Sequence, residues 1–208
     1  GDATWQAGVD AVVRGMQWLC RQAASENSVQ SIPAIWLWGL RAGCLLAVDA
    51  ADQLDASCNF LFWQPPTAGK TLLQQFLRLK LAGDMLGGQS KGAMDSLRQQ
   101  LATGSSVEVA GYVLSPGLTS GLEQAALVPP SNLNTVRRME WFEISTRENA
   151  SLSPSATATM AQWQQAGIEV GSHIVNGPAF WQTTEIEDAP ALVAASIAAL
   201  KHRTTTVA

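Results

Sequence analysis

Apolar residues recur at two different periods along the chain, and the change of period separates helices from strands. Spacings of three and four predict an amphipathic helix over 5–25, carried by Trp5, Val9, Val12, Val13, Met16 and Leu19. Continuous apolar runs at 31–38 and 58–65 are too short for such helices, and they predict strands buried on both faces. Pro65 and Pro66 end the second run.

The same reasoning predicts further elements in alternation, namely helices over 42–53, 153–167 and 189–201 and strands over 137–146 and 168–175. Strands that alternate with helices predict an α/β domain with a parallel sheet and helices on both faces.

The segment 67–130 has a different character. Its longest helical pattern covers 71–86, with an apolar side formed by Leu72, Leu73, Phe76, Leu77 and Leu79–Leu81. A shorter helix over 91–102, a short strand or hairpin at 107–115 and a helix over 116–126 follow. We interpret 67–130 as a mostly helical lid inserted into a core made of 1–66 and 131–208.

Composition and motifs exclude several classes of protein. With 208 residues the chain is long enough for one domain with a core, and a net charge of −4 gives no reason to expect nucleic acid. No apolar run reaches the roughly 18 residues of a membrane span. The odd count of three cysteines (Cys20, Cys44, Cys58) predicts buried reduced thiols. No zinc-ligand spacing is present, and no metal or cofactor is expected.

The candidate chemistry lies in Gly39-Leu40-Arg41-Ala42-Gly43, between the strand at 31–38 and the helix at 42–53. Glycines occupy the same positions in the G-x-S-x-G nucleophile elbow, a strained strand-to-helix turn. They flank the central residue there because larger side chains would collide with the neighbouring strand and helix. Here the central residue is arginine. The alternative interpretation is an ordinary connection with glycine at a tight turn.

A serine-hydrolase triad is incomplete in this sequence. Arg41 stays protonated and cannot attack a carbonyl carbon. The expected histidine loop, 176–185, contains no histidine; His173 lies inside the preceding strand, as a core histidine, and His202 lies at the end of the last helix. The acid of a triad could come from the loop after the strand at 137–146, where Glu148 is the one carboxylate. Cys44 lies inside the helix that follows the elbow.

Five blocks of sequence resemble one family: "DATW" at 2–5, "LWGLRAGCLLA" at 37–47, "LFWQPPTAGKTLLQQFLRLKLA" at 61–82, "AGYVLSP" at 110–116 and "FWQTTEI" at 180–186. They are similar to the exosortase A system-associated hydrolase 2 proteins, a branch of the α/β-hydrolase superfamily. The resemblance implies an α/β-hydrolase fold and a bacterial cytoplasmic protein encoded near exopolysaccharide and PEP-CTERM sorting genes. It also implies that arginine at the elbow is a feature of the group.

In an α/β-hydrolase, a helix like 5–25 follows the fourth strand, so the resemblance implies that the first strands are missing from this chain. The strand at 31–38 would then have a bare edge. We expect either a homodimer or a missing N-terminal segment to cover it.

Two hypotheses for Arg41 follow. In the first, the guanidinium and the N–H groups that begin the helix 42–53 bind a carboxylate, phosphate or sulfate. In the second, Arg41 pairs with Glu148 or Glu185 and closes an inactive site, because a buried arginine needs a partner. Phe180 and Trp181 occupy the loop where a histidine would stand, either lining a pocket or packing.

For function, the sequence favours a hydrolase-family protein that has lost its triad and binds a small anionic or acyl ligand or a partner. The alternative is an active esterase or acyl-transfer enzyme with an atypical site.

Overall fold

The structure is a computed structural model that describes residues 3–26, 35–54, 56–85, 92–131, 136–183, 185 and 187–201. In chain order its elements are α1 (Trp5–Glu26), β1 (Ile35–Leu40), α2 (Ala42–Ala51), β2 (Cys58–Trp63), α3 (Gly69–Met85), α4 (Ala93–Ala102), β3 (Val107–Val109), β4 (Tyr112–Leu114), α5 (Pro116–Gln124), β5 (Val136–Ser145), α6 (Pro154–Gln165), β6 (Glu169–Asn176), a 3-10 turn (Phe180–Gln182) and α7 (Pro190–Lys201).

The central sheet has the strand order β1-β2-β5-β6, and every neighbouring pair is parallel. The register places Leu37 beside Phe60 and Phe142 beside His173. The prediction of an α/β domain with a parallel sheet is therefore confirmed. Among the described residues, no strand pairs with the outer edge of β1, so the expected cover for that edge stays a prediction.

Helices cover both faces of the sheet because the side chains of each strand alternate between two apolar layers. On one face, Phe60 and Phe62 pack edge-on against Trp163 of α6. We call this the α6 face, and α1 and α2 belong to the same apolar layer. On the other, the α7 face, strand residues including Trp63 pack with Leu192 of α7.

The segment between β2 and β5 begins and ends at one place. The backbone N–H of Gly69 donates to Ala125 O at 2.9 Å, and that of Leu127 donates to Thr67 O at 3.1 Å. Between these contacts lie α3, α4, the β3–β4 hairpin and α5. Such adjoining ends are the geometry of an insertion; its action as a lid stays a prediction.

Boundaries and exposure correct the sequence analysis in three places. Strand β1 continues to Leu40, two residues beyond its predicted end, while 31–34 lie outside the described residues. Helix α2 ends at Ala51, two residues before its predicted end. Leu79, assigned to the apolar side of α3, is 58% exposed, because it lies about 200° around the helix from the buried Leu77.

No described helix is long and apolar enough to cross a membrane.

A buried carboxylate lies under α7 on the α7 face. Glu140 is 2% exposed and accepts hydrogen bonds from Arg138 Nε at 2.6 Å and from His173 Nε2 at 2.6 Å. The His173 ring also stacks on Phe142, with centroids 4.3 Å apart. His173, predicted to be a hydrogen-bonded core histidine, thus has Glu140 as its hydrogen-bond partner. About a third of its side chain stays exposed.

We expect Gly171→Ala to destabilise the protein by about 2 kcal/mol or more, because a Cβ there would overlap the Glu140 carboxylate. Urea unfolding measures the difference. The control is Gly15→Ala on the exposed surface of α1, where an added Cβ meets nothing within 4 Å. Gly15→Ala should raise the free energy of unfolding by about 0.5–1 kcal/mol. Equal effects at both positions would contradict the packing described for Glu140.

Candidate functional site

A single residue reverses the chain between β1 and α2. Arg41 has φ 53° and ψ −119°, a combination that residues with a Cβ rarely adopt. Its N–H donates to Trp63 O at 3.0 Å, and its carbonyl accepts from Cys44 N at 3.0 Å. The turn is therefore a sharp, strained strand-to-helix connection in which the backbone groups of the central residue are hydrogen-bonded.

The two glycines of the elbow differ in the space available for a side chain. A Cβ on Gly39 would lie 2.6 Å from Cys44 N and 2.6 Å from the carbonyl carbon of Gly43. A Cβ on Gly43 would meet nothing within 4 Å. The expectation that packing requires both glycines is therefore wrong for Gly43 in the described structure. Only Gly39 lets α2 begin directly against the end of β1.

The side chain of Arg41 is half-buried between the insertion and the turn after β6. Its Nη2 donates to Gln75 Oε1 of α3 at 2.9 Å. Its Cζ lies over the ring of Trp181, 5.9 Å from the centroid, within the range of a cation–π contact. Desolvation lowers the pKa of the guanidinium from its ordinary value, but the group stays charged at any usable pH.

Gln75 was not among the sequence candidates. The residue is exposed, and a glutamine on the solvated side of an amphipathic helix carries no signal of a functional contact. Only the position of α3 relative to the elbow identifies it.

The predicted carboxylate partners of Arg41 do not reach it. Glu148 lies in the loop after β5 and Glu185 lies beyond the 3-10 turn, and both are exposed. Neither is within ion-pair distance of Arg41. The hypothesis that Arg41 pairs with Glu148 or Glu185 is therefore wrong. A half-buried guanidinium can keep part of its hydration, and Gln75 and Trp181 supply further contacts.

Phe180 and Trp181 form the 3-10 turn that follows β6. Phe180 packs edge-on against Trp63 at 6.3 Å and against Trp181 at 5.2 Å. Trp181 covers one side of Arg41, and its indole N–H is buried without an acceptor. Both side chains therefore pack, and Trp181 also borders the guanidinium. Leu40 and Ala42 flank Arg41 in the chain as the last residue of β1 and the first of α2.

The thiol closest to the elbow cannot act as a nucleophile. Cys44 is fully buried, and its Sγ donates to Gly39 O at 3.2 Å. Burial raises the pKa of this thiol far above its ordinary value, so it remains protonated and inert at neutral pH. Within the described ranges, no hydroxyl or thiol is hydrogen-bonded to His173, and the three cysteines are free.

Two clefts lie outside the elbow. One, of about 310 Å³, is lined by Thr4, Trp5, Gln6, Asp49, Gly117, Gly121, Gln124 and Ala125. The other, of about 250 Å³, is lined by Glu143, Ile144, Ser145, Arg147, Asn149, Ala150, Ser151 and Ile174. Arg41 borders neither cleft. No group of His, Cys, Asp or Glu within the described residues could hold a metal ion.

Neither a scan against protein-family models nor a search of curated proteins found a match to this chain.

We expect Gly39→Ala to destabilise the protein by about 2–3 kcal/mol, because the atoms that its Cβ would meet are backbone atoms that cannot rotate away. Gly43→Ala, four residues on, has open space and should leave stability unchanged or raise it by up to about 1 kcal/mol. Urea unfolding of the matched pair measures both. A destabilised Gly43→Ala with an intact Gly39→Ala would disprove this account of the elbow.

We expect Arg41→Gly to be more stable than Arg41→Ala by about 1–2 kcal/mol. Relief of the strained φ and ψ outweighs the larger unfolded-state entropy of glycine. The same pair at Arg78, inside α3, should show the opposite sign, with glycine about 1 kcal/mol less stable. Thermal unfolding compares the four variants, and an identical sign at both positions would argue against strain at Arg41.

Proposed function

We propose that this chain forms an α/β-hydrolase-like domain that binds a small oxyanion at Arg41 and does not hydrolyse it. The observation that carries the proposal is the arginine at the apex of a strained strand-to-helix turn. Such strain, of order 1–3 kcal/mol, persists where the surrounding structure holds it and is concentrated at functional sites. The parallel strand order and the insertion between β2 and β5 support the hydrolase-like assignment.

The groups around the apex are hydrogen-bond donors. Arg41 carries five N–H groups, and its described hydrogen bond to Gln75 uses one of its nitrogens. Helix geometry leaves the N–H groups of Ala42 and Gly43 without intrahelical acceptors, and no side chain caps this end of α2. A carboxylate or phosphate offers only acceptors, and a guanidinium can bind either of them through two parallel hydrogen bonds.

Hydrolysis has no support among the described residues. The apex side chain is a permanent cation, the thiol of Cys44 is held protonated by burial, and His173 is bonded to Glu140 on the α7 face. Acyl transfer needs a nucleophile and a base within hydrogen-bond distance of each other. We therefore propose that the site binds its ligand without cleaving it. Ester or acyl turnover by the parent protein would overturn this proposal.

The resemblance of 37–47 and 61–82 to exosortase A system-associated hydrolase 2 proteins supports a narrower form of the proposal. In that form the ligand is an acyl or sugar-derived carboxylate or phosphate of a bacterial exopolysaccharide system, bound in the cytoplasm.

We expect Arg41→Ala to weaken binding of octanoate and of inorganic phosphate by roughly ten- to hundredfold, because charged hydrogen bonds contribute about 1.5–3 kcal/mol. Arg41→Lys keeps the positive charge but cannot form two parallel hydrogen bonds to one anion. Its affinity for both anions should therefore lie between those of the parent and Arg41→Ala. Isothermal titration calorimetry measures the affinities. Arg78→Ala removes an exposed arginine from α3 and should leave them unchanged.

If the parent protein binds neither octanoate nor phosphate, the proposal is wrong. If Arg41→Ala and Arg78→Ala lose the same affinity, binding reflects general charge attraction and not a site at Arg41. A panel of p-nitrophenyl esters tests the enzyme hypothesis, with Arg41→Ser included to restore a hydroxyl at the apex. Turnover by the parent that Arg41→Ala abolishes would show a working catalytic site.

A further inference from the structure

One buried indole N–H differs from the others in the described part of the chain. Four tryptophans each donate to an acceptor: Trp5 to Asp49 at 2.6 Å, Trp63 to Ser196 at 2.9 Å, Trp141 to Glu143 at 3.1 Å and Trp163 to the carbonyl of Leu127 at 3.1 Å. The Nε1 of Trp181 is buried and has no partner. Buried donors without acceptors are rare, because each loses its hydrogen bond to water and gains nothing in return.

The core does not force Trp181 into this arrangement. The residue is half-buried and lies in a single 3-10 turn, Phe180–Gln182. The hydrogen bonds of the turn are few, from Gln182 N to Ala179 O at 2.8 Å and from Thr183 Oγ1 to Phe180 O at 3.0 Å. Trp181 belongs to neither apolar cluster of the core, so core packing does not account for the burial of its N–H.

The ring that carries this unpartnered donor lies against Arg41, the cation of the proposed site. Cζ of Arg41 lies 5.9 Å from the centroid of the Trp181 ring. Hydrogen bonds from guanidinium and indole nitrogens to oxygen are each about 3 Å long. Arg41 lies over the face of the ring, whereas the indole N–H points outward in the plane of the ring. One carboxylate or phosphate can therefore bind both groups only after the turn has rotated and brought Nε1 towards the guanidinium.

We infer that Trp181 is a second ligand-binding residue of the Arg41 site, and that its indole N–H donates to the same oxyanion. This inference rests on the proposed function. It also narrows the ligand class, because Arg41 and Trp181 offer only donors, and Gln75 Oε1 already accepts from Arg41. A carboxylate or phosphate matches such a site, whereas a neutral amide of the same size presents an N–H₂ group to a donor.

Ligand entry requires movement of the turn, because water does not reach Nε1 in the free protein. Binding replaces the contact between the Trp181 ring and Arg41 with a shared oxyanion. The turn at 180–182 thus acts as the cover of the site and as part of it.

Nuclear magnetic resonance of the ¹⁵N-labelled parent protein tests the inference directly. The probes are sodium octanoate, inorganic phosphate and, as the matched neutral compound, octanamide. We expect the Trp181 indole proton to shift downfield with either anion and to stay in place with octanamide. The indole proton of Trp163, already bonded to Leu127 O, is the internal control and should not move.

Calorimetry of Trp181→Phe supplies the second readout. Loss of the donor should weaken octanoate binding roughly tenfold, while thermal stability stays equal or rises because a buried unpartnered group is removed. Trp38→Phe, at a 61% exposed position of β1, is the matched control and should bind like the parent.

The outcomes separate the two proposals. Binding that Arg41→Ala abolishes and Trp181→Phe leaves intact, with an unmoved Trp181 resonance, would overturn this inference and leave the anion site standing. Absence of anion binding by the parent would overturn both.

Discussion

The backbone of Gly39 lies directly against the first turn of α2, and the rest of the site depends on that contact. Without a Cβ, the end of β1 can approach Cys44 N and the Gly43 carbonyl carbon at distances no side chain would permit. Strand β1 ends at Leu40 and α2 begins at Ala42, so one residue must reverse the chain. Arg41 does so with a positive φ, and its side chain is thereby carried past the sheet edge towards α3 and the turn after β6.

Neighbouring strands hold this strained turn in place. The N–H of Arg41 donates to Trp63 O at the end of β2. Gln64, which follows, also has a positive φ; its N–H donates to Phe142 O, and its Oε1 accepts from Ile144 N, both on β5. The ends of three parallel strands are thus tied to one another through backbone groups and the side chain of Gln64. A strained residue persists when its surroundings over-determine it in this way, so Arg41 keeps its orientation without an ion-pair partner.

The sequence predicted the elements well, because burial on a helix or strand imposes a period that is visible in the residues themselves. It also located Arg41, since two glycines between an apolar run and a helix are a local pattern. The sequence could not identify Gln75 as a contact of Arg41 or show that the N–H of Trp181 has no acceptor. Both features depend on where separate elements meet. The carboxylates Glu148 and Glu185 were wrong partners for a related reason. Position after a strand shows which edge a residue approaches, but not whether its side chain turns towards the site or stays in water.

An elbow is useful to a hydrolase because strain holds one side chain clear of the sheet, beside the N–H groups of a helix that favour negative charge. Those properties do not require a nucleophile. With serine at the apex they stabilise an oxyanion that forms during the reaction; with arginine they suit an oxyanion that the ligand already carries. The charged cluster of Arg138, Glu140 and His173 belongs to another part of the fold, on the α7 face, where Arg138 also donates to the Ala199 carbonyl of α7. His173 is thus hydrogen-bonded to Glu140 within this cluster, away from the apex, and under the proposed function the apex binds its ligand without a histidine.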